Sequence, residues 1–282
     1  MTPGGGGSHA GRPSAPERAG YVCERFPAEG MLHDVWSKGS GPPVIVLHEL
    51  PGVDRRTIAL AELVRSAGFR VVVPVLVGSA IDRSSTSDFV VNTVRICVSR
   101  EIVAFRQGRT SRVVRWLLAL AARESAAVGG GPIGVIGMCL TGGFALAMAV
   151  DPSVAVAVAS QPSLPFAVGP LVRVPGQAHD LGLSDADLRE VAARRDPATA
   201  CIVALRYSDD RIAPRARFER LVEELGPGTI LVEIPSRDPT DHPVLTDAAI
   251  EGPEHHAWPA FEAALGALRE RLLGTADRPG AA

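Results

Sequence analysis

Cys139 lies at a glycine-flanked break in the otherwise apolar stretch GPIGVIGMCLTGGFALAMAV. The residues before the break are typical of a buried strand and those after it of a helix, which predicts a sharp turn around a thiol. Nucleophiles occupy such turns, because small neighbours such as Gly137 permit strained and crowded backbone. The helix start would favour a thiolate, and the Leu140 amide could point at a developing oxyanion. The pattern predicts acyl transfer, and a cysteine that merely fills the core is the alternative.

A cysteine nucleophile needs a base and an acid that orients the base. In hydrolases that place the nucleophile on such a turn, the acid and then a histidine follow it along the chain. Asp209 and Asp210 come directly after one predicted strand, and His242 comes after the next. His255 and His256 stand at the predicted start of the last helix, where adjacent side chains diverge and make a poor metal chelate, so we interpret them as a solvated helix start. The residues alone favour a Cys-His-Asp triad and leave the choice between the two aspartates open.

Composition limits the class of protein. The chain has 282 residues, of which 46% are hydrophobic, and this length is compatible with one α/β domain. Its 29 basic and 31 acidic side chains nearly balance, which argues against binding to nucleic acid or an anionic membrane. No apolar stretch predicts a membrane-spanning helix. The expected partner is therefore a small molecule held in a pocket.

The four cysteines are scattered along the chain, without a CxxC pair or a neighbouring histidine. This spacing argues against a zinc site and against a disulfide framework, so we expect reduced thiols in the cytoplasm. Cys23, Cys97 and Cys201 have no setting like that of Cys139. We interpret these three as core or surface residues without a chemical role.

Strand-like apolar runs alternate with helix-like segments along most of the chain. The strand-like runs are PPVIVLHE, RVVVPVLV, IGVIGM, VAVAVAS, TACIVALRY and TILVEIP. The alternation predicts a single α/β domain with a mostly parallel central sheet flanked by helices. We assign this domain to residues 21–275, between disordered tails at 1–20 and 276–282. Prolines and glycines interrupt the alternation at 161–195, which we interpret as an insertion or lid.

Four motifs in order, HELPGV, GMCLTGG, DDRIAP and DHPVLT, resemble those of the dienelactone hydrolase family, cysteine enzymes with the α/β-hydrolase fold. The resemblance implies that Cys139 is the nucleophile and His242 the base. It favours Asp210 as the acid, because this residue stands in the family's D-x-x-x-P frame ahead of Pro214. No metal or organic cofactor is implied.

The resemblance extends to the surroundings of the nucleophile. Glu49, a carboxyl group between apolar residues at a strand end, matches a family glutamate that contacts the cysteine in the resting state. The amides of Leu50 and Leu140 match the oxyanion hole. Two positions differ from the family, because Thr141 replaces a glycine and Thr246 replaces a substrate-binding arginine. Of the two arginines in VRICVSREIVAF, Arg95 and Arg100, the second is our candidate for binding a substrate carboxylate, and a merely solvated arginine is the alternative.

These expectations together predict a cytoplasmic hydrolase of small esters or lactones that forms a covalent thioester on its cysteine. Two alternatives come from other classes. The first is a non-catalytic relative that binds a ligand or senses thiol oxidation. The second is an interaction module whose contact surface is the 161–195 insertion. The residues do not distinguish a monomer from a dimer.

Overall fold

The computed structural model describes residues 15–50, 52–77, 112–163, 179–181, 185–194, 201–226 and 228–274. Within these ranges the chain forms one eight-stranded sheet. The strands are β1 Val22–Ala28, β2 Met31–Lys38, β3 Pro43–Val46, β4 Arg70–Pro74, β5 Ile133–Met138, β6 Val154–Ser160, β7 Cys201–Tyr207 and β8 Thr229–Ile234. The helices are α1 Ala15–Arg18, α2 Arg55–Ser66, α3 Arg112–Ala127, α4 Leu140–Met148, α5 Asp185–Arg194, α6 Arg215–Leu225, α7 Val244–Glu251 and α8 Trp258–Leu272.

The sheet order is β1-β2-β4-β3-β5-β6-β7-β8. The pairs β1–β2 and β2–β4 are antiparallel, and the strands from β4 through β8 pair in parallel. Strands β5, β6 and β7 are buried along their whole length, which explains their continuous apolar runs. The sheet confirms the predicted fold class, a single α/β domain with a mostly parallel sheet.

Helices cover both faces of the sheet. One apolar core lies between the strands and α2, α7 and α8, and includes Phe69, Phe261 and Leu268. The other lies between the strands and α3, α4, α5 and α6, and includes Trp116 and Phe218. Because β3, β5, β6, β7 and β8 run parallel to one another, their carboxyl ends all meet at one edge of the sheet.

The antiparallel hairpin β1–β2 was not predicted from the sequence. Strand β1 is the edge strand and is largely exposed, so the hairpin lacks the continuous apolar run of a buried strand. Glu29 and Gly30 connect the two strands, both with positive φ (51° and 69°), as a tight hairpin turn requires. Strand β4 ends at Pro74, so the proline that interrupts RVVVPVLV lies at the strand terminus rather than inside it.

The N-terminal boundary of the domain also needs correction. Residues 15–20, which composition assigns to a disordered tail, contain the helical turn α1, and Lys38 Nζ donates a hydrogen bond to the Ala19 carbonyl (2.7 Å). The rest of the predicted tails lies outside the described residues, as does most of the 161–195 insertion. Helix α5 belongs to that insertion and packs mainly against α6.

Candidate active site

Cys139 is the single residue between the last residue of β5 and the first residue of α4. Its backbone has φ 53° and ψ −124°, a conformation that a residue with a side chain adopts only under strain. Its amide donates to Ser160 O (3.0 Å), which ties the turn to the end of β6. The predicted turn around the thiol is therefore present, and the thiol lies at the N-terminus of a helix.

The turn leaves no room for a side chain at position 137. A Cβ atom on Gly137 would lie 2.8 Å from the Ala145 Cβ and equally close to the carbonyl carbon of Thr141. Both atoms belong to the first turns of α4, so the helix crosses directly over β5 at this glycine. The crossing fixes the height of the thiol above the sheet.

We expect Gly137→Ala to destabilise the fold by about 3 kcal/mol, because either the helix or the strand must move to accept the methyl group. Equilibrium unfolding in urea measures this change. Gly266→Ala is the matched control: Gly266 is exposed within α8 and has open space around its Cβ position. That substitution should stabilise by about 0.5–1 kcal/mol. Equal free energies of unfolding for the two variants would contradict the close crossing.

Thr141, which replaces a glycine of the family, forms hydrogen bonds that stabilise the turn at Cys139. Its buried hydroxyl accepts a hydrogen bond from Met138 N (2.9 Å) and lies within donating distance of Met138 O (2.9 Å) and His48 O (3.2 Å). The side chain thus connects the turn at Cys139 to the loop that follows β3. The branched residue adds a link between the two loops rather than merely being tolerated.

His242 and Asp210 meet at the same edge of the sheet. Asp210 follows β7, is 5% exposed, and its Oδ2 lies 2.7 Å from His242 Nδ1. Its other oxygen accepts from the amides of Ile212 (2.8 Å) and Ala213 (3.1 Å), which fixes the carboxylate in the loop. Asp209 is exposed. The structure therefore brings Asp210, and not its neighbour, to the histidine.

The Cys139 thiol lies close enough to His242 to raise the pKa of the imidazole, whose Nδ1 atom is already paired with Asp210. Burial lowers the pKa of His242. The hydrogen bond with Asp210 and the interaction with the Cys139 sulfur outweigh this effect and raise the pKa above its usual value, to about 10. Nε2 is buried and makes no hydrogen bond of normal geometry within the described part of the chain. Resting enzymes often have such loose contacts, which tighten when substrate binds. A protonated imidazolium at this position stabilises a thiolate.

Glu49 lies on the loop after β3 and its carboxylate is held by two donors. Gln161 Nε2 donates to Oε1 (2.5 Å), and Thr246 Oγ1 donates to Oε2 (3.1 Å). Burial raises the pKa of Glu49 to about 7, although His242 and the Thr246 hydroxyl act in the opposite direction. Thr246 thus occupies the family's arginine position with a group that binds this glutamate. Sequence reasoning noted the substitution but had no signal for its partner.

His48 fixes the same loop from the other side. It is 1% exposed, donates from Nδ1 to Glu49 O (2.7 Å), and accepts at Nε2 from the Leu76 amide (3.1 Å). Burial lowers its pKa, so the ring stays neutral. Because one nitrogen donates and the other accepts, the tautomer is defined and the ring bridges the ends of β3 and β4.

The two predicted oxyanion residues directly follow Cys139 and Glu49 in the chain. Leu140 is the first residue of α4, so its amide has no partner within the helix, and Leu50 follows Glu49 in the loop after β3. Arg95 and Arg100 lie outside the described residues.

His255 and His256 are not solvated as expected: their side chains are 8% and 12% exposed, and His256 Nε2 lies 3.5 Å from Asp241 Oδ2. They pack in the turn before α8, where Tyr207 covers His256.

Sequence reasoning missed two residues of the loop that follows β6. Gln161 is fully buried and has a positive φ of 33°, and Ser163 places its hydroxyl 2.9 Å from the Cys139 sulfur. The prolines and glycines around these residues suggested an insertion, and no polar motif singled them out. Contact with the thiol depends on the parallel pairing of β5 with β6, which aligns the two strand ends.

Two further properties concern ligands and membranes. Among the residues that the structure describes, no three His, Cys, Asp or Glu side chains come close enough together to hold a metal ion. Over the same residues, none of the helices combines the length and the apolar character needed to cross a membrane.

A strained turn around a thiol, with a carboxylate and a histidine on later loops of a mostly parallel sheet covered on both faces, is the arrangement typical of the α/β-hydrolase fold class. The family model of the dienelactone hydrolase family matches residues 31–225. The chain therefore belongs to that family, and is by membership a hydrolase.

Similar solved structures share this fold. A candidate dienelactone hydrolase from Klebsiella pneumoniae subsp. pneumoniae is 18% identical, with a TM-score of 0.60 over 89% of this chain and 99% of the other. A cold-adapted esterase from an Arctic intertidal metagenomic library is 17% identical (TM-score 0.54; 89% and 92% covered). A thioesterase domain from the curacin biosynthetic pathway is 12% identical (TM-score 0.53; 86% and 99% covered). No curated protein matches the sequence.

Proposed function

We propose that this protein hydrolyses small esters or lactones through a covalent thioester on Cys139. The observation that carries the proposal is the arrangement of three side chains: a thiol on a strained turn at a helix N-terminus, the imidazole of His242 facing it, and Asp210 bonded to that imidazole at 2.7 Å. Membership of the dienelactone hydrolase family supports the same reaction class.

In the acylation step the Cys139 thiolate attacks the substrate carbonyl carbon and a C–S bond forms. The negative charge moves to the carbonyl oxygen, where the amides of Leu140 and Leu50 donate hydrogen bonds to it. When the carbonyl re-forms, the C–O bond of the ester breaks, and the leaving oxygen takes the proton of the His242 imidazolium. The products are a thioester on the enzyme and a free hydroxyl group.

Deacylation uses the same histidine as a base. Once the sulfur is acylated it carries no charge, so the contribution of Cys139 that raises the pKa of His242 is lost. The imidazole can then accept a proton from water while the water oxygen attacks the thioester carbon. Breaking the C–S bond releases the carboxylic acid and restores the thiolate and the imidazolium. Asp210 stabilises the imidazolium in both steps.

The nucleophile restricts the substrate class. A tetrahedral intermediate expels its weaker base, and an alkoxide is a stronger base than a thiolate, so simple alkyl esters tend to return to substrate. A phenolate, an enolate or a second thiolate leaves readily. The proposed substrates are therefore acyl groups with activated leaving groups, which include aryl esters, enol lactones and thioesters.

A panel with one acyl group and three leaving groups tests this proposal. We expect kcat/KM for the aryl ester and the thioester to exceed that for the ethyl ester by about 100-fold or more, because departure of the leaving group limits the alkyl ester. Rapid quenching and mass spectrometry should detect the acyl group on the peptide that contains Cys139. Equal rates for all three leaving groups, or an acyl group found elsewhere, would refute the thioester mechanism.

A further inference from the structure

Ser163 contacts the sulfur of Cys139 directly. Its Oγ lies 2.9 Å from Sγ, and its amide donates to the carbonyl of Cys139 (3.0 Å). The side chain is 5% exposed, so water cannot readily replace the hydroxyl beside the sulfur. Two hydrogen-bonding contacts, one from the backbone and one from the side chain, thus join the same two residues.

The loop that carries Ser163 is held on several sides. Gln161 keeps a strained positive φ while its amide donates to Leu205 O (2.6 Å). The buried guanidinium of Arg217 donates to Pro162 O (2.6 Å). Gly142 packs under Pro162, where an added Cβ would lie 2.9 Å from the Pro162 Cα. Strain of this kind persists only where surrounding contacts compensate for it, and it is concentrated at functional sites.

A hydroxyl in this position has a chemical use that the Cys-His-Asp mechanism leaves out. A serine O–H donates well to an anionic sulfur and poorly to a neutral thioether or thioester sulfur, since charge strengthens the hydrogen bond. We propose that Ser163 is a further catalytic residue whose hydroxyl donates a hydrogen bond to the Cys139 thiolate and keeps the sulfur ionised in the resting enzyme. This role rests on the proposed function, because it assumes that the thiolate is the reacting form.

The other charged groups around the thiol remain unchanged when only Ser163 is replaced. His242, on the loop after β8, faces the sulfur with Asp210 behind it, and Glu49, on the loop after β3, interacts with His242. Helix α4 contributes the partial positive charge of its N-terminus. A change seen on loss of the Ser163 hydroxyl therefore reports on its own hydrogen bond.

The test is the pH dependence of Cys139 alkylation by iodoacetamide, a neutral reagent, quantified on the peptide that contains Cys139. For Ser163→Ala we expect the midpoint of the profile to move up by about one pH unit, the effect of losing one hydrogen bond to a charged group. The rate at the alkaline plateau should rise about threefold, because a thiolate without that hydrogen bond is more nucleophilic. The amide of residue 163 is retained, so the loop keeps its bond to Cys139 O.

Ser125→Ala is the matched control, because Ser125 is also buried but donates to Gly131 O (2.8 Å) at the opposite end of β5. Its profile should superimpose on that of the wild type. A Ser163→Ala profile that also superimposes, or a lower plateau without a shifted midpoint, would overturn the proposal. Turnover of an aryl ester by the wild type is measured in parallel. A shifted midpoint in Ser163→Ala together with no turnover by the wild type would support the Ser163 hydrogen bond and reject the proposed function.

Discussion

Cys139→Ala is expected to lower kcat/KM for an activated aryl ester by at least about 10⁴-fold, because the proposed reaction has no other nucleophile at the turn. The variant should fold normally, since alanine keeps the Cβ and the backbone conformation and loses only the sulfur. Steady-state hydrolysis and urea unfolding measure the two properties on the same preparation. Retention of more than a few per cent of the activity would reject Cys139 as the nucleophile.

Cys23→Ala is the matched control for this substitution, because Cys23 is an exposed free thiol on the edge strand β1. It should leave the rate unchanged. Cys139→Ser should also be strongly impaired, because a neutral hydroxyl cannot form the ion pair with a protonated His242.

The same assays address the non-catalytic alternative: product release beyond one equivalent per protein would exclude a relative that only binds or is acylated once.

Asp210→Asn is expected to reduce kcat/KM by about 10³- to 10⁴-fold. Asparagine can still accept from the Ile212 and Ala213 amides through its oxygen, so the loop should hold its shape. Its NH₂ group would then face His242 Nδ1 and favour the tautomer that carries the proton on Nε2, which cannot accept a proton from water. Loss of the carboxylate also removes one of the interactions that raise the pKa of His242 toward 10.

The pH profile therefore provides a second readout of Asp210. In the wild type His242 stays protonated up to about pH 10, so the alkaline limb of kcat/KM should lie near that value and move to lower pH in Asp210→Asn. Asp209→Asn is the matched control, because Asp209 is the exposed neighbour, and its rate should stay within about twofold of the wild type. A larger loss in Asp209→Asn than in Asp210→Asn would show that the acid has been assigned one residue too late.

The parts of the fold predicted from sequence are those with a strong local pattern. The run IGVIGM became β5 and VAVAVAS became β6 with their predicted bounds, because strands buried on both faces are apolar throughout. The hairpin β1–β2 lacks this pattern because its outer strand faces solvent. Helix α7 was missed as well, since it follows Pro243 closely and has only eight residues, too few to show a clear helical period.

The candidate site divides in the same way. The motifs located Cys139, His242 and Glu49 because residue type and position after a strand already indicate their chemistry. Asp210 and Asp209 are alike in type and adjacent, so only the direction of each side chain in the folded loop distinguishes them. Similarly, nothing in QPS indicates that Ser163 reaches the sulfur, because that contact spans 24 residues and depends on the alignment of β5 with β6.

The sequence by itself determined the parallel sheet, the thiol between β5 and α4, and the chain order of acid and histidine, since each depends on neighbouring residues or on the order of strands. The tertiary structure alone decided which groups surround the thiol: the hydroxyl of Ser163 at the sulfur, and Gln161 with Thr246 on Glu49. The physical reason is that parallel strands distant in the chain end at one edge. The loops that follow them meet there, and hydrogen bonds between those loops depend on distances that no local pattern encodes.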